Sequence, residues 1–298
     1  LSKPWLENGQ EYLLDKALAE KAAAVRSLTV LECKESESRT APPAPFTTSS
    51  LQQAASNALK FTPKQTMQLA QKIYEGGHIT YMRTDSPNLS AEAVTEIRAF
   101  CESRGWPLVD KPRVWKSREG AQEAHEAIRP THIEIEEAGD TPDEQALYRL
   151  IRLRTLASQL ADAVYAVRTV RMGAELDGKE AVFEAKGRVL RDQGWRALTA
   201  SDAAMQDEEG EVDMPPNPLP MLPQGANITA SGGKLVNKKT KAPTRFSEAS
   251  LVRELENKGI GRPATFAAIV DTIMSREYVR VEKRFLVPTP LGEQVVDL

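Results

Sequence analysis

The sequence predicts an α+β multidomain chain: a β domain interrupted by a mostly helical insertion, then part of a second helix–turn–helix unit with a β wing. Three observations carry that reading. The alternating strand Ser27 to Cys33 has no partner nearby, and clear strand alternation resumes only at Val164. The run Ala41-Pro42-Pro43-Ala44-Pro45 denies the backbone both helix and ladder bonds, which marks a boundary. A shift of 200 residues lays Phe46, Ser50, Leu51, Pro63 and Ile73 on Phe246, Ser250, Leu251, Pro263 and Ile273, with Ile79 on Val279. The predicted elements of the two stretches coincide as well.

In chain order, Glu11 to Ala24 reads as a helix, and polar Lys34 to Thr40 leads from the first strand to the proline run. Leu51 to Leu59 is a short helix. Thr62-Pro63 starts the next, with Thr as N-cap and Pro in the first turn, and Gly76-Gly77 ends it. Its apolar face is Met67, Leu69, Ala70, Ile73 and Tyr74. Ser90 caps a helix over Ala91 to Ser103 that Gly105 ends. Lys111 to Gly120 is a charged loop with Arg113, Lys116 and Arg118, either solvated surface or a mobile DNA contact. Thr141-Pro142 opens a helix to about Ala161.

From Val164 the pattern is β, with Asp177-Gly178 as a hairpin turn, Val182 to Val189 continuing the sheet and Asn227 to Ala230 as a later strand. The acidic Asp207 to Asp213 and proline-rich Pro215 to Pro223 read as exposed loop. In the second repeat, Leu251 to Asn257 is a helix capped by Gly259, Pro263 opens the next helix, and strands at Tyr278 to Val281 and Phe285 to Val287 flank Glu282-Lys283-Arg284. The expected domains are 1–41 and 164–243 for the β domain, 42–163 for the insertion and 244–298 for the last unit.

At 298 residues, 41% hydrophobic and 27% charged, the composition is that of an ordinary soluble chain with a sizeable core. It contains no apolar run of membrane-spanning length and no secretory signal. Cys33 and Cys101 make neither a disulfide framework nor a zinc set, so a reducing, cytoplasmic setting is the simpler inference. The net charge of −3 excludes a generally basic DNA-coating protein and confines any DNA site to a local basic groove. The chain opens on Leu1, mid-pattern, which reads as an excised fragment.

The candidate chemistry lies just past Gly76-Gly77. Ile79, Tyr81 and Arg83 alternate with Thr80 and Met82 as a short strand, so Tyr81 and Arg83 share a face about 7 Å apart. A phenol is a poor nucleophile at its free pKa of roughly 10 and needs a nearby cation and a base or metal. A guanidinium two residues on can hold a phosphate and spread its developing charge. The plain alternative is a strand with one core Tyr and one surface Arg. His125 can bond a phosphate and a carboxylate at once, or be a satisfied structural residue. Arg262 beside Pro263 stands at a helix N-terminus that favours an anion, and with Thr265 it makes a phosphate cradle.

Three segments resemble, in order, signatures of the type IA DNA topoisomerases: Ile79-Thr80-Tyr81-Met82-Arg83-Thr84-Asp85-Ser86, His125-Glu126-Ala127-Ile128-Arg129-Pro130-Thr131 and Gly259-Ile260-Gly261-Arg262-Pro263-Ala264-Thr265. The resemblance spans essentially the whole chain and is greatest to the bacterial topoisomerase I branch. It implies that Tyr81 attacks a DNA phosphodiester and keeps the 5′-phosphate, with Arg83 and His125 also catalytic. It implies that Arg129, Arg262, Thr265 and Arg276 bind DNA, mainly single-stranded. Ala264 departs from the usual serine, so one hydroxyl contact is in doubt.

The implied architecture is a β-arch domain with an inserted catabolite-activator-like tyrosine domain and part of a second such domain. The implied setting is the bacterial cytoplasm, at the nucleoid, with no membrane partner. The family's Mg²⁺ belongs to a separate Toprim domain with a Glu and a D-x-D pair. No D-x-D occurs in this sequence, and no C-x-x-C zinc ribbon, so no metal is expected on this fragment. The expected partners are DNA and the Toprim part of the same polypeptide, and the fragment alone is expected to bind DNA without catalysis. A non-catalytic winged-helix DNA-binding module is the alternative; it explains the repeat but not Tyr81, Arg83 and His125 together.

Overall fold

A computed structural model describes residues 13–116, 125–198 and 218–297. These fall into two compact units. Residues 13–40, 163–193 and 218–242 form the first, and 41–116, 125–162, 194–198 and 243–297 the second. The expected insertion and the expected last unit therefore lie in one compact body. Arg118 and Gly120 of the charged loop, the acidic run at 207–213 and the start of the proline-rich run lie outside the described residues.

The first unit is an antiparallel sheet with one helix. β1 (Ser27–Thr40) pairs along its length with β2 (Ala163–Leu176), and β2 with β3 (Lys179–Asp192). The short β4 (Asn227–Thr229) covers the start of β1, giving the order β3-β2-β1-β4. Asp177 and Gly178, both at positive φ, make the two-residue turn between β2 and β3. β1 runs further than its alternation suggested, because Lys34 to Thr40 is strand rather than lead-in. Beyond Thr29 no described strand lies on its other side, and charged residues suit such an edge. Glu35 there binds Arg168 at 2.6 Å and Arg191 at 2.7 Å, which holds its carboxyl below the usual range.

α1 (Lys16–Ala24) begins later than Glu11, because Asp15 caps it by accepting from the Leu18 N–H at 3.0 Å. It packs Ala22 on Leu176 and Ala181.

The second unit holds α2 (Thr48–Ala58), α3 (Pro63–Glu75), α4 (Ala91–Ser103), α5 (Pro142–Ala157), α6 (Glu248–Asn257), α7 (Phe266–Ser275), the β5–β6 hairpin (Val279–Glu282 with Phe285–Pro288) and α8 (Pro290–Val296). Its core includes Phe46, Leu51, Ile73, Leu147, Ile151 and Trp195, all essentially inaccessible. α5 stops at Ala157 rather than Ala161, since Leu160 closes a tighter turn onto Ala157 and bridges to Leu108. Arg113 donates to the Ser158 and Leu160 carbonyls and to Asp162, so it anchors its loop instead of reaching for DNA. Cys101 is buried, and burial pushes its thiol up to about 11, which keeps it from acting as a thiolate. Among the described residues no helix is long and apolar enough to cross a membrane.

The repeat is deeper in the structure than in the sequence. Thr47 with Ser50 and Ser247 with Ser250 form the same capping box at the starts of α2 and α6. α3 and α7 end on the same double turn: Gly77 at φ +77° and Glu277 at φ +57° turn the chain, and the N–H groups of His78 and Tyr278 donate to Ile73 and Ile273 at 3.0 Å. Ile128 donates to the Phe46 carbonyl as Leu286 does to Phe246, and Ile79 bridges Pro130 as Val279 pairs with Pro288. The hydroxyls of Thr131 and Thr289 donate to residues 77 and 277 at 2.6 Å in both copies. Residues 128–131 thus stand where the second copy has β6 and the start of α8.

The two copies pack face to face, α2 on α6 and α3 on α7. Ser49 donates to Glu256 at 2.7 Å, and Lys64 pairs with Asp271 at 3.0 Å. Ser56 and Glu248, at the opposite ends of α2 and α6, line one cleft, so this helix pair runs antiparallel.

Candidate active site

The segment after Gly77 is not a strand. Only Ile79 makes a ladder-type bridge, to Pro130, and the chain from Thr80 to Leu89 is irregular. The alternation of side chains holds only in part: Ile79, Met82 and Thr84 are buried, while Tyr81 and Arg83 are exposed. The two buried flanks Ile79 and Met82 press the backbone onto the core and turn the Tyr81 ring outward, where it is 44% accessible. A core tyrosine, the plain alternative, is thereby excluded.

The backbone of this segment is held by side chains from distant positions. Thr48, at the start of α2, donates its hydroxyl to the Met82 carbonyl at 2.8 Å and accepts from the Thr84 N–H at 2.9 Å, clamping both sides of Arg83. Thr80 donates to the Ala127 carbonyl at 2.8 Å and accepts from the Arg129 N–H at 3.0 Å, while its own N–H reaches the Arg129 carbonyl at 2.9 Å. The Thr131 N–H meets the His78 carbonyl at 3.0 Å. The first and second motifs are therefore zipped together, and the tie at Ala127 lies one residue from Tyr81 and two from His125. His125 is exposed.

Arg129 is spent differently. Its Nε and Nη2 grip the Glu126 carboxylate at 2.9 and 3.1 Å, and Nη1 donates to the Pro130 carbonyl at 2.9 Å. Its side chain is only 15% accessible. The bidentate fork braces the second motif, and contact with DNA would require it to open. Glu126 also accepts from the Ser90 N–H at 3.3 Å, which ties the motif to the start of α4.

Arg83 lines a groove of about 730 Å³ between α3 and α7, with Lys64 and Lys72 on its own side and Pro263, Ala264 and Asp271 opposite. The third motif borders that groove. Pro263 opens a turn rather than a helix: α7 begins at Phe266, and Thr265 accepts from the Arg262 N–H at 2.8 Å and donates to the Arg262 carbonyl at 3.2 Å. The Thr265 hydroxyl is thus committed to shaping the turn. The Arg262 guanidinium, exposed, donates to Gly261 through one nitrogen and has donors to spare. Arg276 is exposed at the other end of α7. The structure joins Tyr81 to the second motif, and Arg83 to the edge of the third.

Among the described residues no three of His, Cys, Asp and Glu come together as a cation site.

Sequence reading missed Thr48 and Thr80, whose partners are far along the chain, and Glu126, which joins Arg129 three residues on to the distant Ser90. Thr80→Val should leave the Arg129 N–H and the Ala127 carbonyl without that partner, and is expected to cost about 1–3 kcal/mol of unfolding free energy in urea titrations. An unchanged denaturation midpoint would mean that the zipper holds without it.

The family described as DNA topoisomerase matches residues 5–298. The plasmid DNA topoisomerase I of Xylella fastidiosa is 49% identical over all of this chain and 45% of its own length. DNA topoisomerase 1 of Salmonella typhimurium is 42% identical over 97% of this chain and 32% of its own. Full-length topoisomerase I from Thermotoga maritima superposes with a TM-score of 0.78 at 31% identity, over 97% of this chain and 47% of that one. The chain spans less than half the length of these relatives.

Proposed function

The chain belongs to the DNA topoisomerase family, and we propose that it is the tyrosine-bearing portion of a type IA enzyme that cuts and rejoins one DNA strand to relax negative supercoils. The observation that carries this reading is Tyr81: an outward phenol on a backbone pinned by Thr48, Thr80 and two buried neighbours. Pinning the backbone that carries the attacking atom lowers the entropy cost of finding the phosphate. In the step, the Tyr81 oxygen bonds to phosphorus as the P–O3′ bond breaks, the phenol loses its proton, and the departing 3′ oxygen gains one. Arg83 spreads charge over the phosphoryl oxygens, and the exposed His125 bonds the DNA backbone beside them. Arg262 and Arg276 lead single-stranded DNA along α7. The remaining positive charge, the acid for the 3′ oxygen and the Mg²⁺ are assigned to a Toprim domain of the parent polypeptide.

In the same reading the first unit is a β-arch support, the two helix–turn–helix copies are catabolite-activator-like domains, and the setting is the bacterial nucleoid. The winged-helix alternative needs α3 and α7, the second helices of each copy, free to enter a DNA groove. They instead pack on each other, with Lys64 paired to Asp271. That geometry favours the cleavage reading.

The test is to trap the parent enzyme on a labelled single-stranded oligonucleotide and map the nucleotide-bearing peptide by mass. The expected peptide contains Tyr81. A nucleotide on any other residue would remove Tyr81 as nucleophile.

A further inference from the structure

We propose that Tyr74 is a positioning residue for Tyr81, its ring holding the phenol in the orientation from which it attacks and to which rejoining returns. The proposal rests on the reading of Tyr81 as nucleophile. The rings meet edge to face, with centroids 5.4 Å apart and planes at 67°. From the sequence Tyr74 belongs to the apolar face of α3. Its stripe-mates Leu69, Ala70 and Ile73 are indeed buried, but Tyr74 itself is 38% accessible, so core packing does not account for it.

Both rings stand on fixed backbone. Tyr74 lies in the last turn of α3, where its own carbonyl accepts from the Gly77 N–H at 2.8 Å and the preceding Ile73 carbonyl accepts from His78. Tyr81 lies between Thr80, bonded to Ala127 and Arg129, and buried Met82. What remains free is rotation of the Tyr81 side chain about its own torsions. A half-exposed ring without a neighbour samples several staggered positions. An edge-to-face partner biases them by about two- to tenfold.

The consequence is kinetic. In cleavage the Tyr81 oxygen–phosphorus bond forms as P–O3′ breaks, the phenol proton departs and O3′ is protonated; rejoining reverses each change. Tyr74 favours the attack orientation among the rotamers open to the free Tyr81 ring, whereas in the cleaved state the bond to phosphorus itself fixes that ring. Loss of Tyr74 should therefore slow cleavage, leave rejoining nearly unchanged, and lower the cleaved fraction at equilibrium by the same factor, without changing the affinity for DNA.

Two measurements test this. In the parent enzyme, Tyr74→Ala and Tyr74→Leu should slow single-turnover cleavage of an oligonucleotide about two- to tenfold with nearly unchanged rejoining and unchanged Kd, and Tyr74→Phe should keep wild-type rates. In the present chain labelled with 3-fluorotyrosine, the Tyr81 resonance, assigned by its loss in Tyr81→Phe, should shift and narrow in Tyr74→Ala but not in Tyr74→Phe. Unchanged rates with an unchanged resonance in Tyr74→Ala would overturn the proposal. So would a Tyr74→Phe variant as slow as Tyr74→Ala, since the hydroxyl and not the ring would then matter. If the wild-type enzyme forms no adduct at Tyr81, the cleavage reading fails and takes the kinetic role with it. The fluorine resonance still decides whether Tyr74 orders the neighbouring ring.

Discussion

Tyr81→Phe is expected to abolish the covalent protein–DNA adduct altogether, while leaving the fold and the affinity for single-stranded DNA as they are. The phenol oxygen is the only atom removed, and the ring, half exposed and edge-on to Tyr74, keeps its packing. The same reasoning predicts that the 298-residue chain by itself neither cleaves DNA nor relaxes supercoils, with or without Mg²⁺. Cleavage needs a nucleophile, positive charge on the phosphoryl oxygens and a proton for the leaving 3′ oxygen. Tyr81 supplies the first and Arg83 part of the second. Adding the Toprim-bearing half in trans should restore some adduct to the wild-type chain and none to Tyr81→Phe, as read on a denaturing gel with a labelled oligonucleotide. A metal-stimulated adduct formed by this chain alone would show that the acid and metal site lie on it after all.

The second large effect concerns binding. Arg262→Ala and Arg276→Ala should each lower single-stranded DNA affinity about tenfold at low salt, the size of one charge-assisted hydrogen bond of about 1.5 kcal/mol. Each should also flatten the slope of log K against log salt by about 0.7, and the double variant by about 1.4. The two guanidiniums are exposed at opposite ends of α7, separated by about 15 Å of helix, so they can reach different phosphates and their losses should add. Arg129→Ala is the control. Its fork is occupied by Glu126 and Pro130, so it should lower stability and leave the salt slope alone. Equal slopes for wild type and both α7 variants would make these arginines ordinary surface.

The elements legible in the sequence are those whose backbone groups are satisfied within a few residues. Thr62 caps α3 through the Gln65 N–H, Ser90 caps α4 through Ala93, and the turn at Gly76-Gly77 closes on Lys72 and Tyr74. Such signals are local, and both helices begin and end where they point. The repeat was legible for the same reason, since both copies use the same caps. Tyr81, Arg83 and His125 stand out as candidates chiefly through their resemblance to known signatures.

Tertiary structure decided the rest. Residues 79–83 alternate like a strand, yet they do not form one, because their donors and acceptors are taken by Thr48, Ala127 and Arg129, 34 to 49 residues away in sequence. No local pattern encodes a partner at that distance. The same holds for the length of β1, set by a β2 more than a hundred residues on. It holds most clearly for Tyr74. Seven residues before Tyr81 it reads as one more apolar position on a helix; only the turn at Gly77 and the zipper to residues 127–131 bring the two rings together.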